Sequence, residues 1–539
     1  MPSRVQTFSL QDKVKPIDPS RRVGWILCLL IGVVTLIAYW PAINADFVSW
    51  DDYKLVRDNA ALNPPSWPMA LKRFEHPYLE LYTPATNLLL QGFAMGGTQN
   101  ISAHATRLNP IVFHVGMILL HLAAIPLVFL LLRALVRDEI AAALGVGVVA
   151  LHPLGVEATA WVSSIGLAAS VPLMAAILWQ WIQFRRTSRL HSHRAAAHYA
   201  LATFFYILAL LIKPSNVTIP IMVWVLDIAI EKVDWKRSAL AIAPWLLAAI
   251  PMIMITTIAQ PSARFTFWQP AMWQRPAVAS DAIVFYIEKL LWPAALTIDY
   301  GRTPAAIFGN PAILFIELTL VLAVAISLLK LRRRIPIIVA GIAIFIAALL
   351  PVLGLTSFAF QIYSTVADRY AYPGLIGVGM ILAAILAKIK KLSARILVCT
   401  LLFIWAVMTY QQSQIWKNNY SLFTHTLRIN PHSWMAWNSL GNAMILDGRV
   451  SEGLDMARTA WSLAPDRPRI AINIGTALAM LHRPGEALPY LQFAAIHEPD
   501  DFVVATNLSR VYSQLNEPAA AELWRERARQ REAANALNQ

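Results

Sequence analysis

Residues 24–53 read GWILCLLIGVVTLIAYWPAINADFVSWDDY: an apolar run from Gly24 to Ile43, then an acidic pair, Asp51-Asp52, a few residues beyond it. About 20 apolar residues suffice for a helix to cross the hydrocarbon core. The run therefore predicts a membrane span, and the pair a charged loop held at the membrane surface. The leader before the run is polar and basic and ends Arg21-Arg22, while the run is too long for a signal-peptide core and has no small-residue cleavage site. It is expected to stay as a signal anchor, with the N-terminus in the cytoplasm.

Working outward, the 539 residues are 57% hydrophobic and 14% charged, with a mean hydropathy of +0.53. That composition lies outside the range of soluble domains and predicts an all-α, polytopic membrane protein. The formal charge of +14 does not indicate nucleic acid, because the basic residues fall in short clusters between apolar runs, as membrane orientation requires. Nucleic-acid binding is excluded on that ground. The only cysteines, Cys28 and Cys399, sit inside apolar segments, so neither a disulfide framework nor a thiolate metal site is expected.

Further spans are expected at 108–132, 139–154, 158–183, 197–212, 215–231, 238–258, 309–330, 335–353, 373–387 and 394–411, making eleven with the first. An external loop, 45–107, is rich in Pro and aromatics and contains a surface helix near Trp67 to Phe74; another outer loop surrounds Gln260 to Arg264. Basic residues recur at every second connection: Arg133 and Arg137; Arg185, Arg186, Arg189 and Arg194; Lys232, Lys236 and Arg237; Lys330 and Arg332 to Arg334; Lys388, Lys390, Lys391 and Arg395. The positive-inside rule places these in the cytoplasm. The stretch 280–297 would break the alternation if it crossed, so it is read as re-entrant or interfacial.

After Tyr410 a repeat emerges: Pro431, Pro465 and Pro499 are 34 residues apart, as are Gly441, Gly475 and Ser509. This is the tetratricopeptide period. Trp437, Leu440, Gly441 and Ala460 mark the first repeat, Ile474, Gly475, Ala487 and Ala494 the second, and Leu508, Tyr512, Ala521 and Ala528 the third. The expected organisation is a cytoplasmic segment 1–22, a membrane domain 23–412 and an α-solenoid 413–539 made of a half repeat and about three repeats.

In order and spacing, Phe47-Val-Ser-Trp-Asp51-Asp52 with Asn59, Tyr82-Thr83-Pro84, His114 and His121, and His152-Pro153 with Glu157 and Trp161-Val162 resemble one family. Lys213-Pro214, Trp292-Pro293, Pro351 to Leu355 and Ala367-Asp368-Arg369-Tyr370 continue the likeness over nearly the whole chain. The family comprises bacterial membrane proteins with C-terminal tetratricopeptide repeats, related to the eukaryotic transmembrane and tetratricopeptide-repeat mannosyltransferases that modify cadherins. The resemblance implies a GT-C glycosyltransferase fold in a bacterial inner membrane, with the solenoid periplasmic. It implies an inverting transfer of sugar from a polyprenyl-phosphate carrier to a protein or envelope acceptor, membrane lipids being the other partner. Two departures stand out: Ser163-Ser164-Ile165-Gly166 replaces a charged run common in the family, and Met117 replaces an Asn.

Such chemistry needs a carboxylate to take the acceptor's proton and a cation to hold the leaving phosphate. Asp51 and Asp52 are the expected base, Asp51 preferred, with Trp50 and Phe47 expected to seat the loop at the interface and desolvate it. Arg369, Lys213 and Arg302 are the expected phosphate-binding cations, Arg by a planar fork and Lys as a point charge. His152, Glu157, Tyr82 and His114 are expected to orient the loop or contact acceptor. His114 and His121, seven residues apart, are two turns apart on one helix face, which fits packing hydrogen bonds rather than a metal site. No cofactor is required; a divalent metal bridging the acidic pair to a histidine is compatible, though no spacing demands it. The rival readings are a lipid-linked sugar transporter and a membrane-anchored scaffold, and the sparse charges within the spans disfavour an ion-coupled transporter. The topology is testable with alkaline phosphatase fusions: activity is expected after Gln539 and none within residues 185–195, and the reverse pattern would overturn it.

Overall fold

The structure is a computed structural model describing residues 19–102, 105–260 and 268–538. The expected N-terminal segment up to residue 18, and positions 261–267 of the outer loop after Gln260, lie outside the described residues. All eleven expected spans are helical, and among the described residues seven helices are long and apolar enough to cross a membrane: Pro110–Val136, Val162–Arg189, Arg194–Ile212, Pro214–Glu231, Trp235–Ala259, Pro311–Leu331 and Leu392–Ile415. An eighth crossing exists if the pair Glu139–Leu151 and Pro153–Ala160, bent by 51°, counts as one. The helices Arg22–Ala38, Pro336–Val352 and Leu375–Ile389 are apolar but shorter. The stretch expected to be re-entrant or interfacial forms the helix Arg275–Leu291, which is not among the candidate crossings.

Local chemistry sets the helix ends. Asn109 accepts a hydrogen bond from the Ile111 amide ahead of Pro110, and Asp138 does the same for Ala141, supplying caps to amides that have no intrahelical partner. At the basic connections, Arg137, Lys232 and Lys390 take left-handed conformations with φ of 55°, 54° and 53° and close their helices. Basic residues thus terminate these helices, where a cation complements the negative end of the helix dipole.

Inside the bundle, small residues let backbones touch. A Cβ on Gly145 would stand 2.7 Å from the Gly379 carbonyl oxygen, and one on Gly341 2.5 Å from that of Gly377. Apolar association gains little in lipid, so close packing of this kind is what joins membrane helices. It ties the helices Glu139–Leu151 and Pro336–Leu349 to the two faces of Leu375–Ile389.

Two sequence expectations are corrected. The loop 45–107 is more built than expected: besides the short helix Trp67–Lys72 it contains the helix Pro84–Gly97 and an antiparallel hairpin, Thr98–Ser102 with Ala105–Leu108. Thr98-Gln99-Asn100 is polar and largely exposed, so no alternation announced a strand; this one small hairpin leaves the fold all-α as expected. Phe47 and Trp50 do not seat the acidic loop in lipid. Phe47 is buried against Phe113 at 5.3 Å between ring centroids, and Trp50 packs on Tyr363 at 5.1 Å, because the protein itself offers aromatic surface there.

The C-terminal tail is a row of antiparallel helix pairs. First members start at Trp434, Pro468 and Phe502, and second members at Val450, Pro484 and Pro518, each 34 residues after the last. Gly441 packs against Gly453 so closely that an added Cβ would lie 2.8 Å from the Gly453 oxygen; at the third equivalent position the Ser509 hydroxyl donates to the Ala521 carbonyl at 2.9 Å. The tail docks on the acidic loop: the Asp46 amide donates to the Lys417 carbonyl at 2.9 Å, the Ser49 amide to Asn419 Oδ1 at 2.7 Å, and Asn419 Nδ2 to the Tyr53 hydroxyl at 3.0 Å. It grips a second loop as well, through His425 on the Leu296 carbonyl and Ser433 on Asp299.

Gly377→Val should lower the thermal unfolding midpoint of the detergent-solubilised chain, because a backbone oxygen cannot move aside as a side chain can. The overpacking cost is about 1–3 kcal/mol. Gly92→Ala, where nothing lies within 4 Å of the added Cβ, should leave the midpoint unchanged or raise it.

Candidate functional site

The first element of the site is the break at His152-Pro153, where the helix Glu139–Leu151 ends and a short buried turn, Pro153–Ala160, begins. His152 holds the break: its Nε2–H donates to the Leu290 carbonyl at 3.1 Å, so its Nδ1 is free to accept from the Leu154 amide at 3.2 Å. The turn delivers Glu157 to the molecule's interior. There Glu157 accepts from the Arg369 amide at 2.9 Å and pairs with the Arg369 guanidinium. Arg369 is also stacked among Phe360, Tyr370 and Trp161, at 4.2, 4.6 and 5.2 Å from their ring centroids, and reaches the Tyr370 hydroxyl at 3.2 Å.

The two aspartates have different surroundings although they are neighbours. Asp52 is buried and accepts three hydrogen bonds: from the Val48 amide at 3.1 Å, the Ser163 amide at 2.8 Å and the Ser163 hydroxyl at 2.5 Å. Burial pushes its carboxyl up to about 7; the three donors oppose the rise and the Asp51 charge adds to it. Asp51 is exposed and has no such anchors. Its pKa is also raised, first by the protein crowded around it, while Arg369, Lys54 and Arg469 pull it down. A carboxylate that can meet solvent, sits beside cations and binds protons more readily than usual is equipped for proton transfer.

Lys213 follows the helix Arg194–Ile212 and makes no ion pair among the described residues. Burial, then the Arg369 charge, lower it to about 8. Arg369 therefore acts on both Asp51 and Lys213, joining the expected base to one expected cation.

Other expected residues stand elsewhere. Arg302 is paired with Asp281 rather than gathered with Arg369. Tyr82 donates its hydroxyl to the Phe74 carbonyl at 2.9 Å, holding the loop after the Trp67–Lys72 helix. His114 is buried, and neither ring nitrogen has a hydrogen-bond partner among the described residues. His121 donates from Nε2 to the Ala150 carbonyl at 3.0 Å and accepts at Nδ1 from the Tyr372 hydroxyl at 2.5 Å, the packing role its spacing implied. Asp368 does not pair with its neighbour Arg369; it accepts from the Tyr300 hydroxyl at 2.7 Å, and burial together with Glu157 pushes it well above the carboxylate range. Among the described residues no group of three or more His, Cys, Asp or Glu is placed to hold a metal ion, and neither His152 nor His114 is brought to the acidic pair.

Sequence reasoning missed Ser163, Lys54 and Arg469. Ser163 opens the short polar run Ser163-Ser164 after Trp161-Val162, and its hydroxyl was the one available signal. Lys54 and Arg469 looked like ordinary surface charges, since nothing in one dimension shows that the tail folds back.

The fold and site define a multi-pass helical membrane protein whose loops bring an accessible carboxylate and unpaired cations together under a docked paired-helix tail. No family model matches the chain. It is similar to Protein O-mannosyl-transferase TMTC3 of Homo sapiens, 23% identical over an alignment 554 positions long, gaps included, which covers 90% of this chain and 58% of the relative. It is also similar to Protein O-mannosyl-transferase Tmtc3 of Drosophila melanogaster, 25% identical, and to Protein O-mannosyl-transferase TMTC3 of Mus musculus, 24% identical, over 27% and 30% of this chain and 17% and 20% of those relatives. The chain thus spans little more than half the length of the human relative.

The raised Asp52 pKa has a signed consequence. Between its ordinary value of 3.8 and about 7 the native state holds a proton that the unfolded chain has released. Stability contributed by Asp52 therefore falls as pH rises through that window, with a slope of at most about 1.4 kcal/mol per pH unit, and is level on either side. Asp52→Asn should remove this component, so the difference in unfolding midpoint between variant and wild type should change from about pH 4 to about pH 7 and not beyond. An equal pH profile for both proteins would refute it.

Proposed function

We propose that the chain is a membrane glycosyltransferase of GT-C type that moves a sugar from a polyprenyl-phosphate carrier to a hydroxyl of a protein acceptor at the external face. The likeness to proteins named O-mannosyl-transferases supports the reaction class. The observation that carries the reading is an exposed carboxylate, Asp51, on a loop that Asp52 anchors through Ser163, with the Arg369 charge pulling both the Asp51 carboxyl and the Lys213 amine down. Base and cation then flank one fixed charge, as displacement at a sugar carbon requires.

In this reading the acceptor hydroxyl gives its proton to Asp51 as its oxygen bonds to the anomeric carbon. The bond from that carbon to phosphate breaks on the opposite side, and its electron pair leaves with the phosphate, inverting the sugar. Lys213 makes the direct phosphate contact. Arg369, whose fork is taken up by Glu157 and Tyr370, adds charge to the same place. Arg302, held by Asp281, has the smaller share. Asp52 keeps the loop in shape through Ser163, while His152, Glu157 and Tyr82 position backbone rather than substrate and buried His114 packs beneath the loop. The helix-pair tail is read as a tetratricopeptide solenoid on the same side as the acidic loop, a placement that its hydrogen bonds to Asp46, Ser49 and Tyr53 support.

The test is transfer from a polyprenyl-phosphate-linked hexose to a serine- or threonine-containing peptide by the full chain in nanodiscs. Asp51→Asn keeps the shape of Asp but cannot accept a proton at neutral pH, so kcat should fall by about 10²–10⁴ with donor binding retained. Asp52→Asn should cost less in kcat. Undiminished transfer by Asp51→Asn would remove it as the base, and no transfer by the wild type with movement of lipid-linked sugar across the bilayer would favour transport.

A further inference from the structure

The first helices of the tail's pairs, Trp434–Leu446, Pro468–Met480 and Phe502–Gln514, carry carboxamides in their interiors: Asn438 and Asn442, then Asn473, then Asn507. Asn is a poor helix former because its side chain competes with the backbone for hydrogen bonds, so its return in three successive helices calls for a reason. Part of the reason is contact between helices. Asn473 Nδ2 donates to Asn438 Oδ1 at 2.8 Å, and Asn507 Nδ2 donates to the Thr476 hydroxyl at 2.7 Å. These bonds leave Asn438 Nδ2, Asn473 Oδ1, Asn507 Oδ1 and the whole carboxamide of Asn442 without a partner among the described residues, and none of those atoms is sealed from solvent. The same face is open further along, where Leu446 and Met480, one turn beyond Asn442 and Thr476, are exposed.

Short side chains bridge the first helices, whereas the second helices meet through large ones: Trp461 stands edge-on to Tyr490 and Phe493 at 5.6 and 5.5 Å. The row therefore curves toward the asparagines, which line its inner face. That face continues into the contact with the acidic loop. Trp434, one turn before Asn438, lies 5.2 Å from Tyr363, whose ring is edge-on to Trp50, the neighbour of Asp51, at 5.1 Å.

We propose that the asparagine face is a binding track for the main chain of an extended polypeptide, leading it toward the acidic loop. A carboxamide offers a donor and an acceptor in one plane, the same pair that a peptide unit offers, so it can hold backbone whatever the side chains are. Helices in contact stand about 8–10 Å apart and an extended chain advances about 3.3 Å per residue, so the step from one first helix to the next spans about three residues. The rungs are uncharged and do not select by charge, while Leu446 and Met480 give the side chains of the segment apolar surface. The inference deepens the transferase reading above and rests on it for the fate of the bound segment, though not for its binding.

The test is fluorescence anisotropy with the full chain in nanodiscs and three fluorescein-labelled, unstructured peptides: a serine-containing parent, its scrambled sequence, and the parent N-methylated at alternate residues. Parent and scrambled peptides should bind within about threefold of each other, and N-methylation, which removes main-chain donors and keeps the side chains, should weaken binding about tenfold or more. Asn442→Ala should weaken the parent about tenfold and leave the unfolding midpoint no lower, because no hydrogen bond of the fold is lost. Binding that survives N-methylation, binding unchanged by Asn442→Ala, or no binding of any peptide by the wild type would each overturn the proposal. Peptide binding needs no sugar donor. Main-chain-dependent binding without transfer would count against the transferase reading alone, and transfer without such binding would count against the track alone.

Discussion

A buried ion pair between Glu157 and Arg369 holds this structure's charged centre together. Each partner is more than nine-tenths buried, so each would be an unpaired charge without the other. Breaking a pair of this kind by removing one member typically costs about 3–5 kcal/mol. The pair therefore obliges the Pro153–Ala160 turn and the Ala367 to Tyr370 segment to stay in register, although they are far apart in the chain. The aromatic rings around Arg369 complete its coordination, which explains why a full guanidinium charge is tolerated in so dry a place.

From that fixed charge the division of labour between Asp51 and Asp52 follows. Two adjacent carboxylates repel, and the fold relieves the repulsion by giving Asp52 three donors and leaving Asp51 to cations and solvent. Ser163 supplies two of those donors, through its amide and its hydroxyl, and so anchors the loop. An anchored loop keeps an accessible carboxylate in place without a side-chain hydrogen bond of its own.

The tail belongs to this arrangement rather than hanging from it. Its first helices hydrogen-bond the acidic loop and the 296–299 loop, and Tyr363 bridges Trp50 to Trp434. Polar groups at such a junction are costly to leave unmade, so the docking geometry is specific. A row of helix pairs docked in this way holds its side chains next to the acidic loop.

Periodicity and local rules made much of the molecule legible in sequence. Apolar runs located every expected span as a helix, because a bilayer forces backbone groups to bond within their own segment. The 34-residue spacing of Pro and Gly marked the helix pairs, since a proline stops a helix and a glycine permits contact wherever the repeat places them. The acidic pair and Lys213 were visible as charges beside apolar runs, where charge is expensive. What the sequence could not contain was partnership. It left Arg369 beside Asp368, whereas the fold paired it with Glu157, 212 residues away. It left Asp51 and Asp52 equivalent until Ser163 closed on one of them. Those outcomes depend on which surfaces meet, and a burial cost that selects one partner among many is set only when the tertiary structure excludes water.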